Sequence, residues 1–257
     1  MVFLKLENIH HTYFTKKSAT TALAGVTLEI GEGEFVSFLG PSGCGKTTLL
    51  SIIAGLIQPT EGAAFLEGVP VHKMKNQIGY MLQQDYLFPW KTIEENILIG
   101  LKLTKTLTAA SRQNALRLLG QMGLSGFESS YPHELSGGMR QRAALVRTLA
   151  TEPKLLLLDE PFSALDQQTK LRLENLVHST LKSFGKTAIL VTHDIGEAIA
   201  MSDRIFLLSP RPGTIYRSFT IPATLKTLSP FAARNHPDFQ AVFQQIWKEL
   251  DEIEAAT

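Results

Sequence analysis

Eight consecutive residues, Gly40-Pro41-Ser42-Gly43-Cys44-Gly45-Lys46-Thr47, carry the most specific chemistry in the chain. They fit G-x-x-x-x-G-K-[ST], the spacing of a loop that wraps nucleotide phosphates. Glycines at positions 40, 43 and 45 let the backbone curl until successive N–H groups point at phosphate oxygens. Lys46 supplies a point charge for the β- and γ-phosphates, and the Thr47 hydroxyl is an oxygen ligand of the kind Mg²⁺ takes. Thr48 continues the junction between loop and helix. Cys44 lies between glycines at a helix N-terminus, a setting that lowers a thiol pKa: either its alkylation blocks nucleotide binding, or it is an unreactive small side chain at a tolerant position.

A second constellation is Leu155-Leu156-Leu157-Leu158-Asp159-Glu160, an apolar run that ends in two acids. An aspartate at the carboxyl end of a parallel strand lies where phosphoryl-transfer sites hold Mg²⁺. Glu160, one residue on, can accept a proton from an attacking water. His193 ends the buried run Thr187 to Thr192 and so shares the strand-end position of Asp159. It either faces the same crevice or is a structural histidine. Leu135-Ser136-Gly137-Gly138-Met139-Arg140-Gln141-Arg142 opens an apolar helix that runs through Ala150. Serine and two glycines at a helix start read as an anion site or as an ordinary serine cap.

The elements that must position these groups follow from periodicity. Phe35 to Leu39 reads as a buried strand and Lys46 through Ala54 as a helix, the context the phosphate loop requires. Val2 to Tyr13 and Leu23 to Ile30 read as strands, with polar Thr15 to Thr21 turning between them. Tyr13, upstream of the loop, either offers a ring for a base to stack on or ends a strand. Gly62 to Leu66 and Ile78 to Leu82 are further strands, the latter running into Gln83-Gln84-Asp85.

From Tyr86 to about Ala150 the pattern turns helical. Ile93, Ile97 and Leu101 share a face of Thr92 to Leu101, and Ala115, Leu118, Leu119 and Met122 share one in Ser111 to Met122. Tyr86-Leu87-Phe88-Pro89-Trp90 is apolar for a loop, either a docking surface or side chains tucked under these helices. Ser163-Ala164-Leu165-Asp166 precedes a helix from Gln167 to Phe184. Arg204 to Leu208 and Gly213 to Phe219 are strands joined by Ser209-Pro210-Arg211-Pro212. From Asp238 onward Phe239, Val242, Phe243, Ile246, Trp247, Leu250 and Ile253 form one face of a helix expected to pack on its own domain.

Bulk properties narrow the function class. The 257 residues carry 25 basic and 24 acidic side chains, a balance that argues against a broad nucleic-acid footprint. A single cysteine suits a reducing compartment. Met1 to Tyr13 lacks a signal-peptide plan, and no apolar run reaches the ~20 residues of a membrane span, so a membrane role requires a partner.

On these residues the chain resembles the nucleotide-binding subunits of ATP-binding cassette (ABC) transporters over nearly its whole length. Residues 40 to 47 match the Walker A loop, Tyr13 the adenine-stacking aromatic, and Gln83 the glutamine that senses Mg²⁺, water and the membrane partner. Leu135 to Gln141 match the LSGGQ-type signature, with Met139 and Arg140 before Gln141. Asp159 and Glu160 match the Walker B acid and the catalytic glutamate, Asp166 the D-loop and His193 the switch histidine.

The resemblance implies an α/β fold: a P-loop NTPase (RecA-like) core with an N-terminal antiparallel β-subdomain and an inserted α-helical subdomain. It implies an ATPase domain over 1–217, with the insertion at about 86–152, and a helical extension over 218–257. It further implies ATP and Mg²⁺ as ligands, and a head-to-tail homodimer or paired ABC subunit that sandwiches two ATP molecules. In that sandwich Ser136, Gly137 and Gly138 serve the partner's γ-phosphate. Integral permease subunits would hold the chain at the cytoplasmic face of the membrane, with an extracytoplasmic solute-binding protein acting indirectly and no nucleic acid involved. Phe88-Pro89-Trp90, Thr192-His193-Asp194 with Glu197-Ala198, and Ser209 to Gly213 resemble the nitrate, sulfonate and taurine importers. The alternatives are a non-transport ABC ATPase of DNA repair or translation and an exporter motor.

Overall fold

The computed structural model describes residues 2–16, 18–163 and 165–255. Two compact units emerge, Met1–Lys75 with Glu174–Thr257, and Asn76–Leu173.

In the first unit, strands β1 (Val2–Phe14) and β2 (Ala19–Gly31) form a long antiparallel hairpin. β1 also pairs antiparallel with β4 (Glu61–Leu66), and β4 with the short β5 (Val69–Pro70). Thr20 and Thr21, expected in the turn, lie in β2 opposite Tyr13 and Thr12. Lys17, within an expected turn, and Ala164, in the stretch before the helix expected from Gln167, fall outside the described residues.

The same unit contains β3 (Phe35–Leu39), parallel to both β8 (Thr187–Val191) and β9 (Arg204–Leu208). Every residue of β3 and β8 is buried, which is why both read as unbroken apolar runs rather than alternating ones. β10 (Ile215–Thr220) adds antiparallel to β9 as an edge strand. Helix α1 (Lys46–Ile53) follows the phosphate loop, and α7 (Ile195–Met201) follows β8. All seven residues of α7 are buried. They are covered by the C-terminal helices α8 (Ala223–Lys226), α9 (Pro230–Arg234) and α10 (Pro237–Ala255). Ile246 and Ile253 of α10 join Ile195, Ala198 and Ile199 in one apolar cluster, with Phe239, Val242, Phe243 and Leu250 packed against it. Trp247 breaks from that face: it is 56% exposed and stacks on Phe243.

The second unit pairs β6 (Ile78–Met81) parallel with β7 (Leu155–Asp159). Its helices are α2 (Ile93–Ile97), α3 (Ile99–Leu103), α4 (Ala109–Gln121) and α5 (Gly137–Leu149). The helix expected over Thr92 to Leu101 is interrupted at Leu98, yet Ile93, Ile97 and Leu101 are all buried, so the apolar spacing survives the break. Thr92 begins α2 with a reciprocal capping box to Glu95. α6 (Gln167–Ser183) spans the change in sequence from the second unit to the first. No helix among the described residues is long and apolar enough to cross a membrane.

Candidate nucleotide site

The phosphate loop leaves the carboxyl end of β3 in the first unit. Gly45 has φ 101°, and a Cβ there would lie 2.8 Å from both the Ala22 carbonyl oxygen and Leu23 Cδ2. Gly40, at φ 150°, is hemmed in by the Leu208 carbonyl oxygen, 2.8 Å from where its Cβ would be. At these positions only glycine fits both the backbone angle and the space. Helix α1 begins without a side-chain cap, which leaves the N–H groups of its first turn for an anion.

Lys46 is only 8% exposed. Its ammonium donates to the Gly40 carbonyl at 2.7 Å, the Pro41 carbonyl at 2.9 Å and Cys44 Sγ at 3.6 Å. All three of its donors thus turn on to the loop itself. A phosphate oxygen carries a full charge and outcompetes neutral carbonyls for the same cation. Cys44 is 1% exposed, so any reagent must open the loop to reach it. Ser42, Gly43 and Thr47 are exposed on the loop surface, and Pro41 is half-buried. Thr48 Oγ1 lies 3.2 Å from the Tyr13 hydroxyl, which ties that ring to the phosphate-loop helix. The ring is 45% exposed and meets His11 edge-on at 4.5 Å between centroids, leaving a face for an aromatic base.

Parallel register places His193 beside this loop. Phe38 of β3 pairs with Val191 of β8, so Gly40 and His193 each stand two residues past a paired position at the same sheet edge. His193 is exposed between two fixed neighbours. Thr192 donates its hydroxyl to the buried Glu197 carboxylate at 3.1 Å and accepts from the Asp194 N–H at 3.0 Å. Asp194 in turn caps α7 through the Glu197 N–H at 3.0 Å.

The second unit repeats the register argument. Met81 pairs with Leu158, so Gln83 and Glu160 each stand two residues beyond the pair. They meet there: Gln83 Nε2 donates to Glu160 Oε2 at 3.0 Å. Glu160 sits at φ 48°, a left-handed conformation that costs a non-glycine residue about 1–2 kcal/mol. The Ser163 hydroxyl donates to the Glu160 carbonyl at 3.0 Å. Asp159 is 5% exposed, with the Tyr80 hydroxyl 3.5 Å from its Oδ2.

Ser136 caps α5, its hydroxyl accepting the Met139 N–H at 3.3 Å, and Ser136 and Gly137 are both exposed. A Cβ on Gly138 would press to 3.0 Å on Leu165. Asp166 caps α6 by accepting the Thr169 N–H at 3.0 Å. The Thr169 side chain and backbone hold the Asp166 carboxyl below the usual carboxylate range.

The sequence reading missed the way α5 grips the segment after Gln83. Arg140 pairs with Asp85 at 3.0 Å, and Gln141 donates to the Gln83 carbonyl at 3.3 Å. Arg147 donates to the Asp85 and Tyr86 carbonyls, each at 2.7 Å. Burial pulls the Arg147 pKa down, and the nearby Asp85 opposes that shift. The legible signal was the seven-residue spacing of Arg140 and Arg147, which puts both on one helix face. Beyond this segment, the buried Asn96 amide accepts the Phe88 N–H at 2.7 Å and donates to the Phe88, Lys91 and Thr92 carbonyls. Leu87 is buried, whereas Tyr86 and Trp90 are 58% and 70% exposed. The loop is therefore pinned from within and apolar on its surface.

Comparison with known proteins agrees with this geometry. The family model described as "ABC transporter" matches residues 23–163. The chain is 63% identical over 254 residues to the "uncharacterized ABC transporter ATP-binding protein YtlC" of Bacillus subtilis (strain 168), covering 99% of this chain and 98% of that protein. It is 40% identical over 235 residues to the "taurine import ATP-binding protein TauB" of Yersinia pestis bv. Antiqua (strain Antiqua), covering 87% and 92%. The solved dimeric post-hydrolysis state of the ATP-binding cassette MJ0796 bound to ADP and Pi superposes with TM-score 0.78 at 34% identity, covering 86% of this chain and 99% of that one. The chain belongs to the ATP-binding ATPases of the ABC transporter family.

Proposed function

We propose that this ATPase is the motor of an importer for a small solute of the nitrate, sulfonate or taurine type, working on separate membrane subunits. The observation that carries the reading is the Gln83–Glu160 hydrogen bond, 3.0 Å, at the root of the loop that exposes Tyr86 and Trp90. A proton acceptor for the attacking water is thereby hydrogen-bonded to Gln83, from which the chain leads within a few residues to an apolar surface suited to a membrane partner. The relatives named for taurine import support the direction and solute class.

In this reading the phosphate loop from Gly40 to Thr48 cradles the ATP phosphates and Tyr13 stacks on the base. Glu160 takes the proton of the attacking water, Gln83 orients that water, and His193 steadies the γ-phosphate. Thr47, Gln83 and Asp159 are the Mg²⁺ ligands. Their hydroxyl, amide and carboxylate oxygens form the hard donor set that cation selects, and Gln83 spends its NH₂ on Glu160, so its amide oxygen is the atom offered. The ion neutralises developing charge on the phosphoryl oxygens when bound.

Two copies pair head to tail, and the exposed Ser136 and Gly137, with Gly138, meet the partner's nucleotide while Asp166 lines the seam. The MJ0796 cassette, also solved as a dimer, supports this assembly. We assign the cassette to 1–217, with its helical insertion at about 86–152, and the extension to 218–257. The extension's helices pack on α7, immediately after His193. Affinity purification from the membranes of the source cell tests the function. Integral membrane subunits should co-purify at fixed stoichiometry, whereas ribosomes or DNA in their place would overturn the transport reading.

A further inference from the structure

The turn between β9 and β10 has no part in the site described so far, yet it touches the phosphate loop at three points. Arg211 Nε donates to the Gly43 carbonyl at 3.2 Å. A Cβ on Gly43 would lie 3.4 Å from Arg211 Nη2, so the guanidinium lies against the loop backbone. A Cβ on Gly213 would come within 2.0 Å of the Cys44 carbonyl oxygen, which shows how closely the two backbones approach. The third contact is the Leu208 carbonyl, at the start of the turn, against Gly40.

The turn is itself rigid. Ser209 Oγ accepts the Thr214 N–H at 3.0 Å and donates to the Pro212 carbonyl at 3.2 Å, and the Ser209 N–H donates to the Thr214 carbonyl at 3.0 Å. Pro210 and Pro212 fix φ on either side of Arg211. Gly213 is anchored to β2 from both sides, donating to the Ala22 carbonyl at 2.9 Å and accepting the Ala24 N–H at 3.0 Å. Arg211 therefore projects from a fixed platform on to the exposed stretch Ser42 and Gly43 of the loop.

We infer that Arg211 is a positioning residue for ATP: it braces the Gly43–Cys44 peptide so that the loop keeps its phosphate-binding shape before nucleotide arrives. The inference rests on reading residues 40 to 47 as the ATP loop. A peptide unit is rigid, so a donor held on the Gly43 carbonyl also fixes the direction of the Cys44 N–H. That N–H points back to the Pro41 carbonyl at 3.3 Å, closing the loop's own turn. Gly43, at φ 77°, has no side chain to restrict it, so an external brace is needed. When the competent shape is only partly populated, apparent affinity falls by that fraction. Once phosphates fill the loop they impose the same shape, so the chemical step is spared.

The test is Arg211→Ala and Arg211→Lys, with Lys46→Ala as the control. An exposed charge-assisted hydrogen bond to a carbonyl predicts that Arg211→Ala raises the ATP Kd and KM about three- to tenfold, with kcat kept within about twofold. Arg211→Lys, which retains one donor of similar reach, should restore KM to within about twofold of wild type. The melting temperature without nucleotide should be unchanged in both. If Arg211→Ala binds ATP as wild type does, or if kcat and melting temperature fall while lysine gives no rescue, the brace is wrong. The loop assignment is judged separately: a wild-type chain that binds no ATP, or a Lys46→Ala variant that binds it normally, would remove the ATP reading itself.

Discussion

Replacing Glu160 by glutamine separates proton acceptance from every other property of the position. The side chains are isosteric, and both take the φ of 48° at the same cost, so the strain stored there is unchanged. The contact from Gln83 Nε2, 3.0 Å in the native chain, survives because a glutamine amide oxygen accepts as the carboxylate oxygen did. The Ser163 hydroxyl bonds to the Glu160 carbonyl, which the substitution does not touch. What disappears is the carboxylate that the proposed mechanism uses to take a proton from water. General-base catalysis is worth about 10²–10⁴ in rate, or about 3–5 kcal/mol of transition-state stabilisation. ATP affinity should stay within about twofold, since no group of the phosphate cradle has changed. Single-turnover phosphate release together with equilibrium ATP binding reads both quantities. Size exclusion with ATP and Mg²⁺ should show Glu160→Gln accumulating as a dimer, because closure proceeds and the exit step does not. Hydrolysis within about threefold of wild type would remove Glu160 from the role of base. A variant that stays monomeric in saturating ATP at all protein concentrations would remove the sandwich.

Other expectations follow from burial. Cys44 is 1% exposed beside the Lys46 ammonium, so iodoacetamide should label the folded chain far more slowly than the urea-unfolded one, and ATP should slow it further; equal rates with and without ATP would place the thiol away from the nucleotide. Glu174 of α6 is fully buried and pairs with Arg234 of α9 at 2.6 Å. Arg234→Met should cost about 3–5 kcal/mol and lower the melting midpoint by roughly 6–20 °C, and Glu174→Leu added to it should recover most of the loss; a single variant that melts with wild type would show that the pair is not what holds α9 down.

The parts legible in the sequence are those whose cause is local. β3 and β9 match their expected bounds, Phe35 to Leu39 and Arg204 to Leu208, because short apolar runs between turn residues leave little freedom. The phosphate loop is legible for the same reason, since its glycine spacing marks where the backbone is free to curl. What escaped depends on partners distant in the chain. α7 is buried on all sides, so Ile195–Met201 has no polar face to reveal a helical period; only the packing of α9 and α10 explains it. The strand expected from Gly213 begins at Ile215, because Gly213 spends both backbone groups on β2. The contact of Gln83 with Glu160 follows from the register of β6 on β7, which a separation of 77 positions along the chain conceals.

That register has a mechanical consequence inside the second unit. The segment from Gln83 to Trp90 is too closely held to bend independently. Its start is bonded to Glu160 by one side chain and to Gln141 by a carbonyl, its middle to Arg140 and Arg147, and its end to the Asn96 amide. Three of those anchors belong to α5, whose first turn is Ser136 to Met139. A force applied at Tyr86 or Trp90 is therefore resisted by α5 as a body, and any shift that separates Gln83 from Glu160 must either break several hydrogen bonds of about 1 kcal/mol each or carry the helix along. Moving the helix keeps those bonds intact. In the proposed sandwich, Gln83 and the turn that offers Ser136 and Gly137 would thus move as one piece, so that hydrolysis in one half-site would be sensed as displacement of the surface proposed to serve the other.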